Sequence, residues 1–232
     1  SEMKNDFINN MTHEFKTPIS TISLASQMLT DPSVNKSPAL LNHVSGVIAD
    51  ETKRLRFQVE KVLQMSMFDR QKTNLKLSDI PVNELVTNVV NTFTLKVEKA
   101  GGKIETSLEA EDDICMIDEM HFTNVIFNLL DNAYKYAREN VPLELQISTR
   151  NIHNNKLEIR IKDNGIGIKH DDLKKIFEKF YRVPTGNLHN VKGFGLGLSY
   201  VMKIVKDHGG DIKAESDLGQ GTTFVITMPL LS

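Results

Sequence analysis

One stretch, residues 5–29 (NDFINNMTHEFKTPISTISLASQML), constrains this chain more than any other. Phe7, Ile8, Met11, Phe15, Ile19 and Ile22 recur in it at spacings of three and four. At about 100° per residue, that spacing gathers the side chains on one face of an α-helix, predicted here over residues 3–30. Such a stripe needs a partner. Residues 31–36 (DPSVNK) form a turn-rich break, and Ser37 followed by Pro38 reads as an N-cap with proline at the first helical position. A second helix to about residue 70 then carries Val44, Ile48, Leu55, Val59 and Val62 on one face. Two amphipathic helices joined by a short loop make an antiparallel hairpin, and one hairpin buries both stripes poorly. Pairing two hairpins gives a four-helix bundle, so a homodimer is expected.

His13 lies about 180° from the first stripe, with Glu14 beside it and Thr17 one turn further on. It therefore faces solvent. A lone surface histidine is ordinarily inert, and only the second half of the chain gives this one a task. Pro18 removes a backbone hydrogen bond and crowds the preceding turn, which predicts a bend just after His13.

From residue 74 the pattern changes. Residues 74–77 read as extended and 81–98 as a helix carrying Leu85, Val89, Val90 and Phe93, ended by Ala100-Gly101-Gly102. Strands are predicted at 103–108 and 114–117, then a helix over 118–137 with Asp118 as N-cap. Residues 143–149 and 157–162 alternate and pair as a hairpin around Asn154-Asn155. Helices at 171–179 and 196–208 and strands at 211–215 and 222–228 complete the chain. Helices and strands mixed without strict alternation point to an α+β sandwich, a mixed sheet with helices on one face. The predicted domains are thus residues 1–73 and 74–232.

Composition excludes several classes. The net charge of −2 and the lack of a dense Lys/Arg block argue against nucleic-acid binding. The single cysteine, Cys115, rules out an intrachain disulfide and reads as a small buried hydrophobe. No apolar run approaches the roughly 20 residues of a membrane span. The first residues open on helix-compatible sequence with no capping signal, so they are expected to continue a longer helix of a larger protein, with any membrane segments outside these residues.

Four segments carry polar residues that folding alone does not ask for. In the helix over 118–137, Asn124, Asn128 and Asn132 recur every four residues with Lys135 beside them. Asparagine is a weak helix former, and neutral amide oxygens suit a Mg²⁺ shell; an exposed polar face is the plainer alternative. Ile161-Lys162-Asp163-Asn164-Gly165-Ile166-Gly167-Ile168 runs from a strand into a glycine-bracketed turn, where Asp163 can accept from an amino group such as adenine's. Val191-Lys192-Gly193-Phe194-Gly195-Leu196-Gly197-Leu198-Ser199 opens a helix, a setting that binds phosphate. The polar loop over 184–190 before it reads as a lid over a nucleotide. Gly219-Gln220-Gly221-Thr222-Thr223-Phe224, alone, is an ordinary turn.

Together these segments resemble the N, G1, G2 and G3 boxes of the sensor histidine kinases of two-component signalling, whose ATP-binding domain is of Bergerat type. Phe177-Glu178-Lys179-Phe180-Tyr181-Arg182 resembles the F box, and His13-Glu14-Phe15-Lys16-Thr17-Pro18 the H box of the dimerisation and phosphoacceptor domain. The match runs over essentially the whole chain in the family's order. The resemblance implies that His13 is the phosphoacceptor, that Glu14 takes the imidazole proton, and that Thr17 positions water for dephosphorylating a partner. It implies that Asn128 and Asn132 hold Mg²⁺, Lys135 contacts phosphates, Tyr136 stacks on adenine and Asp163 binds the adenine amino group. Gly165, Gly167, Gly193, Gly195 and Gly197 would shape the pocket and lid, with Arg182, Leu196 and Thr223 as further ATP contacts. Phe194 stands where many relatives carry Thr, which removes a side-chain hydrogen bond there.

The implied activity is ATP-dependent autophosphorylation at His13, then transfer to an aspartate of a response-regulator receiver domain, with phosphatase activity toward that regulator. Two alternatives stay open at this point. An ATPase of the gyrase, Hsp90 and MutL type would turn over ATP without a phosphoprotein, and a dimeric scaffold would not bind ATP·Mg²⁺ at all.

Overall fold

The computed structural model describes residues 2–67, 74–179, 181–183 and 197–231. The chain divides into two compact units that meet in sequence at Thr73 and Asn74.

In the first unit, α1 (Glu2–Met28) and α3 (Pro38–Met67) form the hairpin, joined through the one-turn helix α2 (Pro32–Asn35). Asp31 caps α2 by accepting from the Ser33 amide at 2.8 Å, and the Ser37 hydroxyl accepts from Leu40 N at the start of α3. Helix α1 continues through Pro18, which is buried. A proline inside a helix costs about 3 kcal/mol relative to alanine, and here burial in the hairpin offsets that cost. The buried seam differs from the stripe read in the sequence. Pro18 and Ala25 lie in it, whereas Ile19 is 53% exposed, and on α3 Val44 is buried while Val59 is exposed. Ala25, Val34 and Val44 make a small apolar core near the loop, flanked by Leu29, Val47 and Ile48. Ile19, Leu24, Met28, Leu40, Leu41 and Val59 remain as exposed apolar side chains on the two helices.

The second unit is a five-stranded mixed sheet in the order β2-β4-β5-β7-β6. Its strands are β2 (Lys103–Leu108), β4 (Glu144–Ile152), β5 (Lys156–Asp163), β6 (Asp211–Asp217) and β7 (Gly221–Pro229). Only β2 and β4 run parallel. The hairpin joining β4 and β5 turns through Asn154 and Asn155, both at positive φ, as asparagine tolerates. Strands β1 (Ser78–Pro81) and β3 (Ile114–Ile117) form a separate antiparallel ladder, a pairing that sequence reading does not reveal. Cys115 is fully buried in it.

Helices α4 (Val82–Lys99), α5 (Glu119–Lys135) and α7 (Gly197–Asp207) supply the apolar layer on one sheet face. Phe93, Phe122, Ile126, Leu129 and Ile204 of the helices and Ile147, Ile159, Ile161 and Ile226 of the strands are buried in the core. Residues 171–179, expected as a helix, are shorter: α6 (His170–Leu173) gives way to turns, and Lys175 and Ile176 both donate to the Asp172 carbonyl. The C-terminal end of α7 is locked to the start of α5 by His208. Its Nε2 accepts from the Asp118 amide at 2.9 Å and its Nδ1–H donates to the Ile204 carbonyl at 2.7 Å. Accepting at Nε2 requires the neutral ring, and burial holds the imidazole pKa below its usual value. Burial pushes the Asp118 carboxyl up, but the Lys76 and His121 amides outweigh it and leave its pKa lowered.

Candidate functional site

Asp163 ends β5 on the helix-covered face of the sheet and is 8% exposed. Its Oδ1 accepts from the Gly165 amide at 2.8 Å and from the Thr222 amide at 3.2 Å. Among the described residues Oδ2 has no hydrogen-bond partner, which leaves one carboxylate oxygen for a ligand. Burial raises this carboxyl's pKa, and the two amides oppose that rise.

The turn after Asp163 is fastened on both sides. Ile166 N donates to the Tyr136 carbonyl at the end of α5, and Gly219 N donates to the Ile166 carbonyl. Ile168 N donates to Ser216 Oγ on β6, and Ser216 Oγ in turn donates to the Gly221 carbonyl. Glycine is required at two places in this turn. A Cβ on Gly165 would stand 2.5 Å from the Tyr136 oxygen, and Gly167, at φ +70°, would drive one to 2.1 Å from the Asp217 oxygen.

On α5, Asn128 Nδ2 donates to the Asn124 carbonyl at 2.7 Å. Only the NH₂ end can make that bond, so Oδ1 is the free end. It faces Gly197 at the first turn of α7, 3.3 Å from where a Cβ would stand. Asn132 is half-buried on the same stripe, and its side chain makes no hydrogen bond among the described residues. Lys135 Nζ sits 2.7 Å from Asp131 Oδ2. Lys96 on α4 approaches the other oxygen of Asp131 and lies 4.3 Å from the Tyr134 ring centroid. Tyr136 is half-buried; burial raises its phenol pKa and the Arg182 guanidinium acts against that rise. Phe177 packs edge-on against Phe224 of β7, and the Tyr181 hydroxyl donates to Asp172.

The structure therefore brings together Asp163, Gly165 and Gly167 around one turn, and Asn128 with Gly197 across two helices. Thr223 lies elsewhere: it pairs with Lys162 and Glu215 on the outer face of the sheet, opposite to Asp163. The neighbouring Thr222 makes the carboxylate contact instead, through its amide. Asp131 was legible as the residue four before Lys135. Gly193, Gly195 and Leu196, together with the loop over 184–190, lie outside the described residues.

In the first unit His13 and Thr17 are exposed, and the Thr17 hydroxyl donates to the His13 carbonyl at 3.3 Å. Glu14 is half-buried and accepts from Gln58 Nε2 of α3 at 3.2 Å. Gln58 carries no sequence signal beyond being polar in an apolar seam.

Residues 3–71 match the His Kinase A (phospho-acceptor) domain, and residues 117–232 match the histidine kinase-, DNA gyrase B- and HSP90-like ATPase domain. Sensor protein RprX of Bacteroides fragilis (strain YCH46) is 66% identical over 231 residues, which is 100% of this chain and 44% of that protein. Sensor protein kinase WalK of Staphylococcus haemolyticus is 31% identical over 97% of this chain and 36% of its own length. The chain thus spans less than half of these relatives. The full-length ShkA structure in complex with AMPPNP shares the fold at 20% identity, with a TM-score of 0.71 over 98% of this chain and 46% of that one. Among the described residues no helix is long and apolar enough to cross a membrane. A hairpin with an exposed histidine, followed in the same chain by this pinned carboxylate and asparagine-lined helix, belongs to the histidine kinase family, as a sensor histidine kinase core.

Proposed function

We propose that this core binds ATP·Mg²⁺ in its second unit, phosphorylates His13, and passes the phosphoryl group to an aspartate of a response regulator. The observation that carries the nucleotide assignment is the Asp163 carboxylate. With Oδ1 held by two amides, Oδ2 is a fixed acceptor for one donor, as the adenine amino group supplies. Asn128, whose amide donor is engaged by Asn124, offers a neutral carbonyl oxygen, and Asn132 lies one turn on; this donor set fits a hard divalent cation. Mg²⁺ held there neutralises charge on the triphosphate. Lys135, drawn off Asp131, answers the phosphate charge, and Tyr136 supplies an aromatic face to the base. In this reading Gly193, Gly195, Leu196 and Gly197 are the phosphate-contacting residues, and Arg182 is a further ATP contact.

Neutral His13 attacks the γ-phosphorus in line while Glu14 takes the ring proton. Thr17 positions water in the reverse task, dephosphorylation of the regulator. The exposed apolar residues of α1 and α3 support pairing of two hairpins in a homodimer, with residues 1–73 as the dimerisation and phosphoacceptor domain and 74–232 as the catalytic one. Its sensor-protein relatives support reading these residues as a cytoplasmic portion of a membrane-anchored sensor.

The test is labelling with [γ-³²P]ATP. Acid-labile, base-stable label that disappears in His13→Ala is the expected result. Label that persists in this variant, or steady ATP turnover with no phosphoprotein, would reject the assignment.

A further inference from the structure

Gln58 reaches from α3 to the residue next to His13, and only half of its amide has a partner. Nε2 donates to Glu14 Oε2 at 3.2 Å, while Oε1 is buried with no hydrogen bond. Its neighbours along the seam, Leu55 and Val62, are half-buried apolar side chains. An apolar residue at 58 would fill the same space without stranding an acceptor, so stability alone does not account for glutamine here. The position pairs one ionisable oxygen with a group that is a donor at one end and an acceptor at the other.

We propose that Gln58 is a positioning residue that serves both protonation states of Glu14. The inference rests on the reading of His13 as phosphoacceptor and Glu14 as its proton acceptor. While Glu14 is a carboxylate, the amide must present its NH₂, because oxygen against oxygen repels. In the transfer, a ring nitrogen of neutral His13 forms the N–P bond as the bond from the γ-phosphorus to the ADP oxygen breaks, and ADP leaves with that electron pair. The other ring nitrogen gives its proton to Glu14, leaving neutral phosphohistidine and a carboxylic acid. A half-turn of the Gln58 amide about its last side-chain bond then sets Oε1 toward the new O–H. The acceptor that is stranded at rest becomes the partner of the transferred proton and keeps it from the ring.

The experiment uses the whole chain. In Gln58→Leu, the initial rate of His13 labelling falls about tenfold with an unchanged KM for ATP. Tm in the same variant holds or rises, because the stranded oxygen is gone. Gln58→Met, which keeps an unbranched stem, gives the same pair of results. In a Glu14→Gln background, Gln58→Leu changes the rate by less than about twofold. An unaltered rate in both variants, a tenfold fall that persists without Glu14, or rate and Tm falling together would each overturn the proposal. Failure of the underlying reading looks different: it is label that is missing from the unaltered chain or that survives in His13→Ala.

Discussion

Asn128 and Gly197 face one another so closely that a Cβ on Gly197 would lie 3.3 Å from the Asn128 amide oxygen. That oxygen is fixed by the bond from its own NH₂ to Asn124. The start of α7 and the stripe of α5 are therefore fitted to each other at the proposed metal ligand. Gly197→Ala would force the Asn128 side chain aside by a few tenths of an ångström. We expect calorimetry to give ATP·Mg²⁺ binding weaker by about three- to tenfold, with Tm within about 2 °C of the parent. Full affinity in this variant would mean that Asn128 does not need its observed position.

Asp163→Asn tests base recognition without dismantling the turn. The asparagine oxygen can still accept from Gly165 and Thr222, while its NH₂ meets the amino group of the base donor to donor. ATP affinity should drop by about 100-fold or more, and a loss below about twofold would remove Asp163 from recognition. Acidification should act in the same direction. The raised carboxyl pKa means that the accepting, ionised form is lost on descending pH above the ordinary value of 3.8. Affinity in the parent should accordingly begin to fall before an unperturbed aspartate would protonate.

His208 sets a second pH dependence, on stability. Its folded pKa lies below the ordinary 6.5, so the unfolded chain takes up a proton that the folded chain refuses. The stabilisation is complete above pH 6.5 and diminishes as pH falls toward the folded value. Differential scanning calorimetry should show Tm of the second unit's transition falling as pH drops below 6.5, and a shallower slope in His208→Gln. Equal slopes would show that the buried ring is not what senses acid.

Thr17 stands one turn after His13, with its hydroxyl on the His13 carbonyl. Thr17→Ala should slow dephosphorylation of the phosphorylated regulator by about tenfold or more and leave His13 labelling within about threefold. Matched losses in both assays would deny Thr17 a separate role.

Element type was legible wherever periodicity was strong. The two long helices, the strands at 103–108 and 114–117 and the Asp118 cap stand as the pattern predicts. The seam of the hairpin was not, because one apolar stripe on α1 does not show which flank of it turns toward α3. Pro18 and Ala25 went inside, and Ile19 stayed out. Residues such as Asp163 and Asn128 carried a signal because their chemistry is out of place in plain folding. Thr222 and Gln58 carried little. Thr222 touches Asp163 through a backbone amide, which any side chain could provide, and Gln58 acquires its meaning only from a contact made 44 residues away in sequence.

Two amides on Oδ1 of Asp163 have a consequence for inhibitors. If Asp163 reads the base as proposed, a competitor needs there only a single N–H at Oδ2, the oxygen that the two amides leave open, and nothing of sugar or phosphate. Small aromatic amines that share no other feature with a nucleotide should therefore compete with it. On the same proposal, resistance through Asp163 itself would come at the expense of nucleotide binding.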